Sequence, residues 1–174
     1  MSFYSVKENV SPENFSTEVA QGSRTLGRAA TGLEAGVIGG IAMFALLALF
    51  SVARGRGWWE SPNLLSSTFY GPRALSRGIG MPTISGWAFH LVITGTLGCL
   101  FGISFGSIRQ RGRLVLLGLV TGLGWYALTE WVLWPLFNPL IPVYSFTPAL
   151  LFGHLVYGLC LGYLGQSRHE ALAG

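Results

Sequence analysis

Three ionisable side chains stand inside long apolar stretches of the sequence: His90, Glu130 and His154. Burying an ionisable group in hydrocarbon is costly, so such residues are the first candidates for a functional site in an apolar chain. Imidazole and carboxylate groups bind transition metals, imidazole also ligates haem iron, and both groups transfer protons. Any chemistry that this chain performs is therefore expected to involve these three residues.

The two histidines occupy the same sequence motif. The stretch His90-Leu-Val-Ile-Thr-Gly-Thr-Leu-Gly recurs 64 residues later as His154-Leu-Val-Tyr-Gly-Leu-Cys-Leu-Gly. A small residue follows each histidine at i+4 and a glycine at i+8, which places all three on one face of a helix. The preceding apolar stretches also align without a gap, from Gly36-Val-Ile-Gly-Gly and from Gly118-Leu-Val-Thr-Gly. The pattern indicates a tandem repeat of a two-helix unit.

The three residues are expected to lie at a similar depth. Counted from the arginine nearest to each apolar stretch, His90, Glu130 and His154 lie 19, 17 and 14 residues inward. At 1.5 Å per helical residue, these positions fall within roughly 8 Å of one another in depth. The sequence therefore allows the three side chains to meet.

Several interpretations of this group stay open. A b-type haem is held by two histidines on diagonal helices with glycine nearby, and His90 and His154 would provide this arrangement. Two histidines with Glu130 would instead bind a transition metal, and the same cluster beneath tryptophans would suit a quinone or a proton path. The interpretation we favour needs no cofactor: each histidine donates a hydrogen bond to Glu130, Thr94, Thr129 or a backbone carbonyl and so holds the helices together.

The composition is that of a polytopic membrane protein. Only 10% of the 174 residues are charged, the mean hydropathy is +0.51, and there are 25 glycines. Low charge with abundant glycine is typical of packed transmembrane helices. Ten Arg and one Lys outnumber seven Glu, but the arginines sit at helix ends rather than in one stripe. They therefore indicate orientation in a membrane and not a nucleic-acid surface.

We predict an all-α fold, a four-transmembrane-helix bundle built from two parallel repeats. The transmembrane domain covers residues 29–166, with repeats at about 29–108 and 114–165. The predicted spans are residues 29–52, 84–108, 114–134 and 147–164. In an up-down-up-down arrangement the second and fourth spans are diagonal, and their glycine faces point at each other or at partners.

The segments outside the spans also carry signals. Residues 1–28 and 167–174 read as polar tails, with a short helix at Pro12 capped by Ser11. The long connection over residues 54–85 places Trp58 and Trp59 beside arginines, as at a membrane interface. Within it we predict a short interfacial helix over residues 62–75, capped by Ser61. The strongly basic loop at residues 109–113 predicts that both termini are cytoplasmic.

These motifs resemble a group of small bacterial four-span membrane proteins of unassigned function. The resemblance rests on G-x-x-x-G in the first span, Trp-x-x-Pro-Asn-Leu after it, the two His-Leu-Val motifs, and Pro-x-x-Asn-Pro after the third span. It covers roughly residues 30–165. It implies this fold and a bacterial plasma membrane, and it implies no catalytic residue.

The sequence favours a non-catalytic role. No nucleophile elbow, phosphate-binding loop or dinucleotide fingerprint occurs, and Cys99 and Cys160 lack disulfide or zinc spacing. We predict an accessory subunit of a larger bacterial membrane complex, respiratory or photosynthetic in type. Its expected partners are other membrane subunits and lipid, and a homo-oligomer is a further possibility. The alternatives are a haem or metal redox protein built on His90 and His154, and a small transporter.

Overall fold

The computed structural model describes residues 12–171, with side chains described for residues 16–165. Within this range all regular structure is helical. Helices α1 to α7 have the following bounds: α1 Pro12–Ala53, α2 Glu60–Tyr70, α3 Met81–Phe105, α4 Arg111–Leu128, α5 Trp134–Phe137, α6 Leu140–Tyr144 and α7 Thr147–Ala171. A 3-10 turn, Gly71–Ala74, follows α2, and a π-helical turn, Thr129–Leu133, joins α4 to α5.

Four helices are long and apolar enough to cross a membrane: α1, α3, α7, and α4 continued through the π-helical turn and α5. Large apolar side chains on their outer faces stay exposed, among them Leu49, Val92 and Leu116. Such a surface is unfavourable in water and favourable in lipid. The predicted number and approximate positions of the apolar spans are therefore confirmed.

The four long helices pack in the order α3, α1, α7, α4. Helix α1 contacts α3 on one side and α7 on the other, and α4 packs against α7. Helices α3 and α7 touch only slightly, as expected for diagonal helices, but α3 and α4 do not close the fourth side of the bundle. The result is a helical bundle that is open between α3 and α4.

Glycines bring α1 into backbone contact with α3, and α4 into backbone contact with α7. We call α1–α3 the first helix pair and α4–α7 the second. On α1, a Cβ added to Gly36 would collide with the carbonyl oxygen of Thr94 and approach the Cα of Gly98. On α4, a Cβ added to Gly118 would collide with the carbonyl oxygen of Gly158. The glycine faces of α3 and α7 therefore pack against α1 and α4. This corrects the expectation that these two faces point at each other or at other proteins.

Several helix ends differ from the predictions, and α3 covers Met81–Phe105 instead of the expected 84–108. Helix α1 begins at Pro12 and runs unbroken into the first span, so the predicted short helix is the start of a longer one. Helix α2 begins at Glu60, so Ser61 lies inside its first turn and makes no capping bond. The third span passes through the π-helical turn Thr129–Leu133 and continues past Trp134 to Phe137. Pro135 lacks an N–H group and crowds the preceding turn, which favours a wider turn before it. Ser11 lies outside the described residues.

Two buried asparagines hold the connecting segments in place. Asn63 on α2 donates to the carbonyl oxygens of Arg77 and Gly78, at 2.8 and 3.1 Å, and accepts from the Thr83 hydroxyl at 2.7 Å. Asn138, between α5 and α6, donates to the hydroxyls of two α2 residues. Both asparagines are almost fully buried. These bonds fix α2 and α6 over one end of the long helices.

Candidate functional site

A cavity of about 110 Å³ lies at this covered end, between the two helix pairs. Residues of α1, α3, α4 and α7 form its walls, and α2 and α6 close part of it. Most lining side chains are aliphatic or aromatic. The deep polar residues are His90, Thr94, Thr129 and His154. The cavity thus brings together both histidines of the repeated motif.

His90 is held by α1 on two sides. Its Nε2 lies 3.1 Å from the carbonyl oxygen of Gly40, and its ring stacks on Phe44 with centroids 3.7 Å apart and planes 6° apart. The Trp87 ring packs edge-on against the same Phe44 ring, with the ring centroids 4.8 Å apart. The imidazole is 6% exposed, so its orientation is fixed by these contacts.

His154 occupies the corresponding place in the second pair. Its Nδ1 lies 2.8 Å from the carbonyl oxygen of Leu150, one turn earlier on α7. The ring of Tyr126 meets the imidazole edge-on, with centroids 5.4 Å apart. Phe44 and Tyr126 are aligned positions of the two apolar stretches, so each histidine meets the aromatic residue at the same place in its own pair. Each histidine thus bonds to a backbone carbonyl, as expected. Only the His90 bond joins two helices, however, because the His154 bond lies within α7.

These bonds define which ring nitrogen accepts. A carbonyl oxygen can only accept, so His90 donates from Nε2 and His154 donates from Nδ1. In a neutral imidazole the second nitrogen is then an acceptor. Among the described residues, nothing donates to Nδ1 of His90 or to Nε2 of His154. The cavity therefore holds two histidines, each with an unused acceptor.

The other polar groups of the cavity are mostly engaged by the helices. The hydroxyls of Thr94 and Thr129 donate to carbonyl oxygens of the preceding turn, at 2.9 and 3.0 Å. Tyr157 donates from its hydroxyl to the carbonyl oxygen of Thr94 at 2.8 Å, which links α7 to α3. Ser145 differs, because its hydroxyl oxygen is sealed from solvent and has no partner among the described residues.

Glu130 does not join the histidines. It lies in the π-helical turn and is absent from the cavity wall, and its Oε1 is buried without a partner among the described residues. Across residues 16–165, no group of three His, Cys, Asp or Glu side chains is close enough to hold a metal ion. The expected meeting of Glu130 with His90 and His154 is therefore not seen.

A haem needs more room than this site provides. The glycine faces beside His90 and His154 are occupied by the backbones of α1 and α4 rather than open to a flat ligand. The cavity, at about 110 Å³, is smaller than the ~150 Å³ cavity that holds a single benzene ring in another protein. The arrangement does keep one feature of metal-binding histidines, since each ring donates its other N–H to a carbonyl.

The mouth of the cavity is charged. Arg56 and Glu60 form an ion pair at 2.6 Å, and the Arg54 guanidinium lies 4.3 Å from the centroid of the Phe146 ring. All four residues line the cavity. The site thus changes from an apolar interior to a polar rim at the end of the bundle covered by α2.

The sequence pointed to both histidines, Thr94 and Thr129, but it did not point to Tyr157, Ser145 or the charged rim. Tyr157 had a weak signal, since it directly follows the repeated His-Leu-Val triplet at a position where the first copy has Ile93. Ser145 and Arg54 had none, because they lie in segments between the spans and reach the cavity only through the packing of α2 and α6. Comparisons with protein-family models, curated proteins and solved structures found no match to this chain.

Proposed function

We propose that this protein is a non-catalytic accessory subunit of a larger membrane complex and docks through the first part of α1. The observation that carries the proposal is the exposure of this segment. Every described residue from 16 to 27 is exposed, and α3 ends near Arg28, whose carbonyl oxygen lies against Gly102. About sixteen residues of α1, roughly 24 Å of helix, therefore extend past the end of α3.

The composition of this extension supports a partner. Gly22 and Gly27 are each unfavourable in a helix by about 1 kcal/mol relative to alanine, and Ser and Thr are weak helix formers. Helical stability in proteins comes mainly from packing of an apolar face. Leu26 is 73% exposed, and it borders a shallow groove that ends at Ile103 on α3. A helix of another subunit in this groove would cover Leu26 and stabilise the extension.

The membrane and its orientation are part of the same proposal. The extension of α1, the basic loop before α4 and the end of α7 lie at one end of the bundle, and this end would be cytoplasmic in a bacterial plasma membrane. Cysteine labelling in a Cys99→Ala, Cys160→Ala background tests this. An impermeant maleimide should label Ser76→Cys in intact cells and label Gln110→Cys only after lysis. The reverse pattern would invert the orientation.

The tandem repeat is supported by equivalent contacts in the two pairs. Gly36 meets Gly98 as Gly118 meets Gly162, and the pairs Phe44–His90 and Tyr126–His154 also correspond. On this proposal, duplication produced two similar helix pairs that packed side by side through α1 and α7. The repeat explains why both histidines are present without requiring that they act together.

The docking proposal is tested in native membranes. Full-length tagged protein, solubilised in mild detergent, should co-purify with another membrane subunit in fixed ratio. Leu26→Glu should abolish co-purification, because it places a charge on the proposed contact. Ala20→Glu adds the same charge on another side of the same exposed helix and should retain the partner. A wild-type protein that purifies alone, monodisperse and stable would contradict the accessory role, and retention by Leu26→Glu would exclude this contact.

A further inference from the structure

We propose that the cavity between the helix pairs binds a single aromatic ring that carries hydroxyl groups, as in a phenol or hydroquinone. This ligand site is independent of the proposed docking segment, because residues 16–27 of α1 lie at the opposite end of the bundle from the cavity. The proposal rests on the shape of the cavity, the nature of its walls and the hydrogen-bonding groups that the protein leaves unused.

The walls favour a flat aromatic ligand. Seven aromatic side chains line the cavity: Phe44, Phe50, Trp125, Trp134, Tyr144, Phe146 and Tyr157. Aromatic rings pack favourably edge-to-face or offset against another ring. The volume of about 110 Å³ excludes a fused or macrocyclic system, and a single substituted ring would fit only with its outer part in the opening toward the charged mouth.

The deep end favours a hydrogen-bond donor. Nδ1 of His90 and Nε2 of His154 accept in the tautomers that the carbonyl bonds require. Both side chains are 6% exposed and line the cavity. A ligand hydroxyl that donates to one of these nitrogens satisfies an acceptor that the described protein residues leave without a donor. A ligand with only carbonyl or ether oxygens cannot do this.

The outer end supplies the complementary group. Ser145 precedes α7, about two turns outside His154, and its hydroxyl is sealed and unpartnered among the described residues. A buried hydroxyl without a partner is unfavourable. In the bound state Ser145 would donate to an oxygen on the outer side of the ring. The two ends of the cavity thus match a ring that is substituted with oxygen at opposite positions.

The chemistry of the site predicts an order of affinity. A hydroquinone offers donors to the histidines, whereas the corresponding quinone and dimethyl ether offer only acceptors. Loss of one or two hydrogen bonds of ordinary strength weakens binding by about tenfold. We therefore expect methylhydroquinone to bind about tenfold more tightly than methylbenzoquinone or its dimethyl ether. No electron transfer is involved in this prediction.

The decisive experiment is isothermal titration of the three methyl-substituted probes into wild-type protein in detergent, under argon. Because the comparison changes only the ligand, it does not depend on whether a histidine variant folds. Tighter binding of the hydroquinone supports the proposal. Equal affinity of all three probes, preference for the quinone, or no binding of any probe overturns it.

Ser145 provides the matched protein variant. Ser145→Ala removes a hydroxyl that makes no bond within the described part of the chain, so it should fold normally and bind methylhydroquinone about fivefold more weakly. Ser104→Ala, on an exposed position of α3 away from the cavity, should bind as wild type. Weakening by both variants alike, or by neither, would contradict the assigned role of Ser145.

Discussion

Replacing Gly122 by leucine is expected to detach α4 from α7 and to prevent recovery of a monodisperse folded protein. A Cβ at Gly122 would collide with the carbonyl oxygen of His154 and would lie 3.2 Å from the backbone N and Cα of Gly158. Backbone atoms cannot rotate away as a side chain does, so the two helices would have to separate. Overpacking that side chains absorb costs about 1–3 kcal/mol, and a backbone collision exceeds this range. Because α4 packs mainly against α7, few other contacts would retain it.

Gly124, two residues further along the same helix, is the matched control. A Cβ there meets nothing within 4 Å, and the residue is exposed. Gly124→Leu adds the same side chain and the same apolarity to the span without touching another helix. Size-exclusion profiles and thermal unfolding in detergent should separate the two variants. Similar behaviour of both would show that α4 and α7 do not pack through their glycine faces.

The sequence predicted these glycine positions well because helical periodicity alone determines which residues share a face. Gly118 and Gly122 are separated by one turn, as are Gly158 and Gly162, and the spacing survives whatever the helix packs against. Helical periodicity does not determine which helix each glycine face packs against. Two glycine faces in one membrane can pair within a repeat or across repeats, and the difference depends on loop reach and on side chains elsewhere.

For the histidines too, some features followed from the sequence and others depend on how the helices pack. Their burial, their common depth and their need for a hydrogen-bond partner followed from an apolar helical context. The carbonyls of Gly40 and Leu150 as partners did not follow, because which carbonyl is available depends on the crossing of the helices. Glu130 is absent from the cavity because Trp125 and Thr129, one turn apart, share the face that lines it, and the next residue lies about 100° around the helix. The 3.6-residue period separates these two faces but does not determine which of them meets the cavity.

The connecting segments were the least predictable part of the chain. A short interfacial helix over residues 62–75 was expected after the first span, and α2, at Glu60–Tyr70, confirms the helix approximately. Its burial against α3 was not expected. Gly86 on α3 lies so close to the carbonyl of Pro62 that a Cβ would collide with it. This contact converts an interfacial helix into a packed lid over the cavity, and it depends on tertiary packing that no local pattern encodes.

Replacing Asn63 by leucine is expected to destabilise this end of the bundle by about 3 kcal/mol, since three hydrogen bonds of about 1 kcal/mol each are lost. Asn63 is 1% exposed, and it joins α2 to Arg77 and Gly78 ahead of α3 and to Thr83 within α3. Leucine has a similar size, so the loss should reflect the bonds rather than a cavity. Deuterium exchange over residues 71–84 should rise together with the lower unfolding temperature.

Two further variants identify the origin of this effect. Asn63→Asp keeps an acceptor for the Thr83 hydroxyl but loses both donated bonds, and it places a carboxylate beside the carbonyl oxygens of Arg77 and Gly78. It should therefore be at least as destabilising as leucine, because a buried carboxylate facing two acceptors is strongly unfavourable. Ser76→Ala removes only an exposed 3.2 Å bond to the Arg73 carbonyl and should change stability by less than ~0.5 kcal/mol. If Asn63→Leu exchanges no faster than Ser76→Ala over residues 71–84, Asn63 does not hold the segment to α3, and the cavity must be closed by the packing of Pro62 against Gly86 alone.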